Sequence, residues 1–256
     1  MKRLRGKQTG FAAAVVAAAV LLVAGGALAA GKWEVVRVGE LEVQYNGGFS
    51  PKVLSRTKPT PITFNVAAKI ASLDPGEKHP PALREFVILG DKHAALSVKG
   101  IPVCKSQKLQ STPSAVARKV CGPALIGSGK TDVEVKFPEQ PAVLAPSELL
   151  AFNGGVKGGV TTIYIHAYIT KPIVSAVVTT VKVKKIHKGR YGLESVATIP
   201  KIAGGAGSPI FFTLTLNKGI VKATCTDGHL DAHGTASFSD GTVASGTVTR
   251  PCTPMG

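Results

Sequence analysis

Aromatic side chains are scarce, 5% of 256 residues with a single Trp, which removes the stacking platform that single-stranded nucleic acid needs. Acidic residues are scarce as well, 15 against 31 Lys and Arg, for a formal charge of +16. A partner drawn by charge therefore has to be anionic. No Gly-x-Ser-x-Gly elbow occurs, so the six histidines and many serines have no serine-hydrolase framework around them. Helical periodicity is almost missing, and no internal repeat of fixed period is present. Only one long apolar run exists, and it lies before residue 30.

That run is the most informative part of the chain. Lys2, Arg3, Arg5 and Lys7 precede the apolar stretch Phe11 to Ala24, and Gly25-Gly26 and the small-residue site Ala27-Leu28-Ala29 follow it. This is the pattern of a secretory signal peptide, residues 1–29, with a secreted domain over 30–256. An uncleaved anchor is the alternative, since the run is close to the lower limit for spanning a bilayer. Of the 31 basic residues four lie in this leader, leaving 27 against 15 acidic ones and a domain that is basic in its own right. Whether residues 30–256 form one core or two packed sub-domains stays open.

Four cysteines fall into two local pairs, Cys104 with Cys121 and Cys225 with Cys252. An oxidising compartment makes disulfides their default state, and of three possible connectivities the local one is expected. Each bridge would stabilise the fold by roughly 3–4 kcal/mol on the chain-entropy account.

Alternation of apolar and polar residues recurs along the chain: Leu41, Val43 and Tyr45 against Glu42 and Gln44, and Val133, Val135 and Phe137 against Asp132, Glu134 and Lys136. Strands with one buried and one wet face follow. Further strands are expected at Thr161 to Ile169, Ser175 to Lys184, Phe211 to Leu216, Gly219 to Thr224 and around Ala236 to Val248. Asp240-Gly241 suits a two-residue hairpin turn. Proline-rich stretches at Lys58 to Pro61, Pro75 to Pro81 and Pro138 to Pro146 read as connections between strands. One short helix is expected inside the first disulfide loop, capped by Thr112, carried by Ala115 to Val120 and stopped by Gly122-Pro123.

Three constellations bear on chemistry. Ala124 to Thr131 fits a loose phosphate-loop pattern, but a helix precedes it and an alternating strand follows, the wrong setting for that motif. His229, Asp231 and His233 alternate, so a strand would project two imidazoles and a carboxylate from one face, an incomplete zinc set. Lys182, Lys184, Lys185, Lys188 and Arg190 form a cationic stripe suited to an anionic polymer, or a solvated strand edge that discourages aggregation. His166, between Tyr164 and Tyr168 on one face, reads as a hydrogen-bonded structural histidine.

Pro102-Val103-Cys104, Cys121-Gly122, Ala124 to Gly129, Asn153-Gly154, Arg190-Tyr191-Gly192, Leu214-Thr215-Leu216, Cys225, Asp240-Gly241-Thr242 and Cys252 together resemble a family of uncharacterised secreted bacterial β-sandwich proteins. The resemblance spans about Trp33 to Cys252. It implies a signal peptide, a sandwich of immunoglobulin-like or related type and two local disulfides, and it supplies no activity or site residue.

The expectation is an all-β protein, an antiparallel immunoglobulin-like β-sandwich with one short helix in a disulfide loop. Its expected role is that of a non-catalytic structural or binding module, secreted or extracytoplasmic and associated with the cell envelope. No cofactor is called for. Its partner would be an anionic envelope polymer or another envelope protein, not cytosolic nucleic acid. The rivals are a cationic polymer binder using Lys182 to Arg190 and a metal-dependent enzyme using His229, Asp231 and His233.

Overall fold

The computed structural model describes residues 31–256. The expected signal peptide, residues 1–29, lies outside the described residues. In chain order the strands are β1 (Glu34–Val38), β2 (Leu41–Ser50), β3 (Val53–Ser55), β4 (Thr60–Ser72), β5 (Leu83–Asp91), β6 (Ala94–Leu96), β7 (Leu125–Val135), β8 (Val143–Lys157), β9 (Val160–Ile169), β10 (Ser175–Lys188), β11 (Tyr191–Thr198), β12 (Gly207–Ala223), β13 (His229–Phe238), β14 (Val243–Pro251) and β15 (Thr253–Met255). One α-helix, α1 (Ser114–Cys121), interrupts them.

Thirteen strands join one antiparallel sheet in the order β1-β2-β4-β12-β7-β8-β9-β10-β11-β5-β13-β14, with β6 added to β12. The expected stack of two sheets is replaced by a single sheet curled into a near-closed barrel, its two ends β1 and β14 lying side by side. The alternation that predicts a sandwich predicts a barrel equally well, because both need one apolar and one polar face. Inward positions are mainly apolar and outward ones carry charges such as Lys130, Glu134, Lys182 and Lys184, the opposite polarity to a barrel that spans lipid.

Both disulfides form as local pairs, Cys104–Cys121 and Cys225–Cys252. The first ties α1 over the outer face of β8 and β9, where Leu109, Ala117, Leu150 and Phe152 make a satellite core. Thr112 does not cap this helix. Its hydroxyl turns back to the carbonyls of Lys108 and Gln110, and Pro113 occupies the cap. The second bridge joins the chain after β12 to the chain after β14, beside the small parallel pair β3–β15.

Three local expectations are corrected. Phe211 to Ala223 lies in one strand, not two; Lys218 and Gly219, at φ +56° and +66°, form an irregularity beyond which β12 exchanges β7 for β6 as neighbour. The β13–β14 turn is longer than two residues. Gly241 N–H donates to Phe238 O (3.2 Å) and Phe238 N–H to Thr242 O (3.0 Å), with Gly241 alone at positive φ, +88°, the three-residue loop with a glycine bulge. Finally, Pro146 lies inside β8, opposite Asp132 of β7. The ladder to β9 begins only at Leu149, and between them Ser147 Oγ accepts from Tyr168 N–H and donates to Tyr168 O, both at 3.0 Å. A side chain thus replaces the ladder where proline lacks a donor.

Candidate functional site

A barrel of about eight strands is just filled by its own side chains, so the twelve along this path enclose more room than their residues occupy. The surplus is a cavity of about 280 Å³ inside the barrel, near the lower edge of small-molecule sites at roughly 300–1,000 Å³. Its wall is mainly aliphatic and aromatic, including Phe64, Phe86, Ile165, Val177, Leu193 and Phe212. The period-two pattern places these residues inward from β4, β5, β9, β10, β11 and β12. Phe86 meets Phe212 edge-to-face at 5.4 Å between ring centres and Tyr45 in a stacked arrangement at 6.0 Å.

Three charged residues border this cavity: Arg250 from an inward position, and Asp91 and Asp231 from positions that alternate with the inward Gly90, Leu230 and Ala232. Asp91 ends β5 and is 2% exposed. One of its oxygens accepts from Arg190 Nε (2.9 Å) and Asp231 N–H (3.0 Å), and the other from His93 N–H (2.9 Å). The Arg190 guanidinium also reaches Asp231 Oδ2 (3.0 Å), Asp227 Oδ2 (2.5 Å) and the His229 carbonyl (3.2 Å). Burial opposes ionisation of Asp227, but the hydrogen bond and charge of Arg190 outweigh it and hold the carboxyl below its usual range.

Arg250 is held differently. It follows Ala244, Gly246 and Val248 at the inward parity of β14 and is 9% exposed. Its Nε donates to Gly47 O (2.7 Å), Nη1 to Thr249 O (2.9 Å), and Nη2 to Lys32 O (3.0 Å) and Asn46 Oδ1 (2.8 Å). All four acceptors are neutral, and among the described residues no carboxylate pairs with it within 4 Å. Burial lowers its pKa from the usual arginine range, with only the field of Glu34 acting the other way. Lys52 sits close by, its Nζ 3.8 Å from the Phe49 ring centre, and is pushed down by burial and by repulsion from Arg250.

The expected site residues are placed as follows. His229, Asp231 and His233 do share the outward face of β13, while Leu230, Ala232 and Gly234 face the barrel interior. His229 Nε2 comes within 3.7 Å of Asp231 Oδ2, but the other polar atoms have partners of their own: His233 Nδ1 meets Thr247 Oγ1 (2.9 Å), Asp231 Oδ1 meets Thr249 Oγ1 (2.7 Å) and His229 Nδ1 meets Asp227 O (3.2 Å). Among the described residues no three His, Cys, Asp or Glu side chains converge as a metal-ion set. In the cationic stripe, Lys184 and Lys188 face Glu194 (2.6 and 3.9 Å), Lys182 donates to Thr162 Oγ1 (2.9 Å), Lys185 is exposed, and Arg190 turns to the carboxylates described above. The Ala124 to Thr131 segment runs into β7, where Gly127 and Gly129 lie so close to the β12 backbone that a Cβ would meet the carbonyls of Thr215 and Thr213. His166, fully buried under the α1 loop, donates from Nε2 to Thr112 O (2.7 Å).

Sequence reading missed the cavity and Arg250. The available signal was parity: a charge at the inward position of an alternating strand. No protein-family model matches the chain, and no curated protein matches it.

Proposed function

We propose that this protein is a non-catalytic, extracytoplasmic binding module that holds a small apolar molecule inside its barrel. The carrying observation is the 280 Å³ interior cavity with its aliphatic and aromatic wall. Apolar space inside the barrel releases ordered water when an apolar ligand enters, and the barrel supplies a preformed site with little ordering cost. The two disulfides are compatible with an oxidising compartment, where cysteines pair by default.

Titration with N-phenylnaphthylamine, an uncharged dye that brightens in apolar surroundings, tests this reading. Saturable enhancement is expected from the folded protein. Val177→Trp, which fills the cavity from β10, should weaken it at least about tenfold while overpacking costs only about 1–3 kcal/mol of stability. A folded protein that leaves the dye dark, or a Val177→Trp chain that binds it equally well, rejects the proposal.

A further inference from the structure

We propose that the cavity's ligand is an amphiphile with an anionic head, a carboxylate or a phosphate monoester, which pairs with Arg250 while its chain lies along the apolar wall. This rests on the cavity reading above and specifies the ligand class.

The charge balance of the wall carries the inference. Asp91 and Asp231 each have the Arg190 guanidinium within 3.0 Å, and backbone or hydroxyl donors complete their shells. Among the described residues Arg250 hydrogen-bonds to dipoles only, and Glu34, whose field it feels, makes no ion pair with it. Those dipoles account for its position: they stitch β14 to β2 across the barrel's closing seam, a task that neutral donors could perform. They leave its positive charge without a paired carboxylate beside a mostly apolar cavity, where charge is normally paired. Four of its five N–H donors are committed, and the fifth, on Nη1, has no acceptor among the described residues. Lys52, the next cation, stands on the ring of Phe49, itself a cavity residue. Arg250 raises the electrostatic cost of the charge on Lys52, so an anion brought to Arg250 is favourable to both.

Displacement of N-phenylnaphthylamine from the full mature chain by dodecanoate, dodecyl phosphate, dodecanol and dodecylamine separates the terms. Either anion should displace the dye at concentrations about tenfold below those of the alcohol, because a charge-assisted bond strengthens in an apolar site; the ratio between the two anions distinguishes the head groups. Arg250→Gln should bring the anions within about twofold of dodecanol when both are measured on that variant, and Arg250→Lys should retain the preference. Failure of the dye to bind at all defeats the cavity reading itself. Dye binding with equal displacement by acid and alcohol, stronger displacement by the amine, or an anion preference that survives Arg250→Gln overturns the head-group assignment alone. Should Arg250→Gln not fold, the head-group series on the wild-type chain still decides.

Discussion

Individual residues in this protein are constrained mostly by what they bury. His166 is the clearest case: alternation puts it on the outer face of β9, yet α1 and its loop cover that face, and the ring loses water. Burial pushes its imidazole below the ordinary value of about 6.5, while the Thr112 carbonyl and Glu148 act in the opposite direction. An unfolded chain takes up the proton first as pH falls, so stability from this residue is complete above about pH 6.5 and declines below it until the folded ring also protonates. In His166→Gln, urea denaturation should show that the slope between about pH 6.5 and 5 is removed, at a cost of about 1–2 kcal/mol at pH 7 for the altered packing and hydrogen bond. A slope unchanged by the substitution would place the responsible group elsewhere.

At the scale of elements, α1 and its disulfide form a flap on the barrel rather than part of its wall. Only Ala117 and Cys121 of the helix are buried, and the Arg118–Glu148 pair that reaches β8 is exposed and contributes little. The 17-residue separation of Cys104 and Cys121 gives a loop whose closure contributes about 3 kcal/mol on the entropic account. A Cys104→Ser, Cys121→Ser chain should lose about that much in chemical denaturation and gain protease sensitivity between residues 105 and 120. It should keep its β circular dichroism and its dye binding, because the cavity lies on the other face of the sheet. The helix was legible from Pro113 and Gly122-Pro123, but its cap was not: Thr112 has two routes for its hydroxyl, and the turn before it supplies carbonyls at hydrogen-bond distance.

Over the whole molecule the closing seam is the point of least backbone support. Among the described residues β1 and β14 share no ladder, and side chains bridge the gap between β14 and β2: Tyr45 donates to Ala244 O at 2.7 Å, and Arg250 donates to Gly47 O at 2.7 Å. Gly234 and Gly246 leave room for the Tyr45 ring, which a Cβ at either would touch at about 3.0–3.2 Å. Amide exchange should therefore be fastest, among the strands of the barrel, along Glu34–Val38 and the β1-facing side of Val243–Pro251. Tyr45→Phe should accelerate it there and cost about 1 kcal/mol, leaving β8 to β10 protected. Uniform protection around the barrel would show that the seam is as firm as the ladders.

The sequence by itself determined the strand content, the local cysteine pairing and the face each residue presents, because all three are set by neighbours along the chain: period-two alternation, short loop closure and turn chemistry. It also put His229, Asp231 and His233 on one face of a strand, as period-two alternation requires. Tertiary structure decided what the alternation left open. Whether inward faces meet as two sheets or close on themselves depends on which strands pair across long separations, such as β4 with β12 and β5 with β13. The cavity, the Arg190 carboxylate cluster and the unpaired charge of Arg250 exist only through those pairings, since each joins residues that share no local pattern and meet only when the sheet curls.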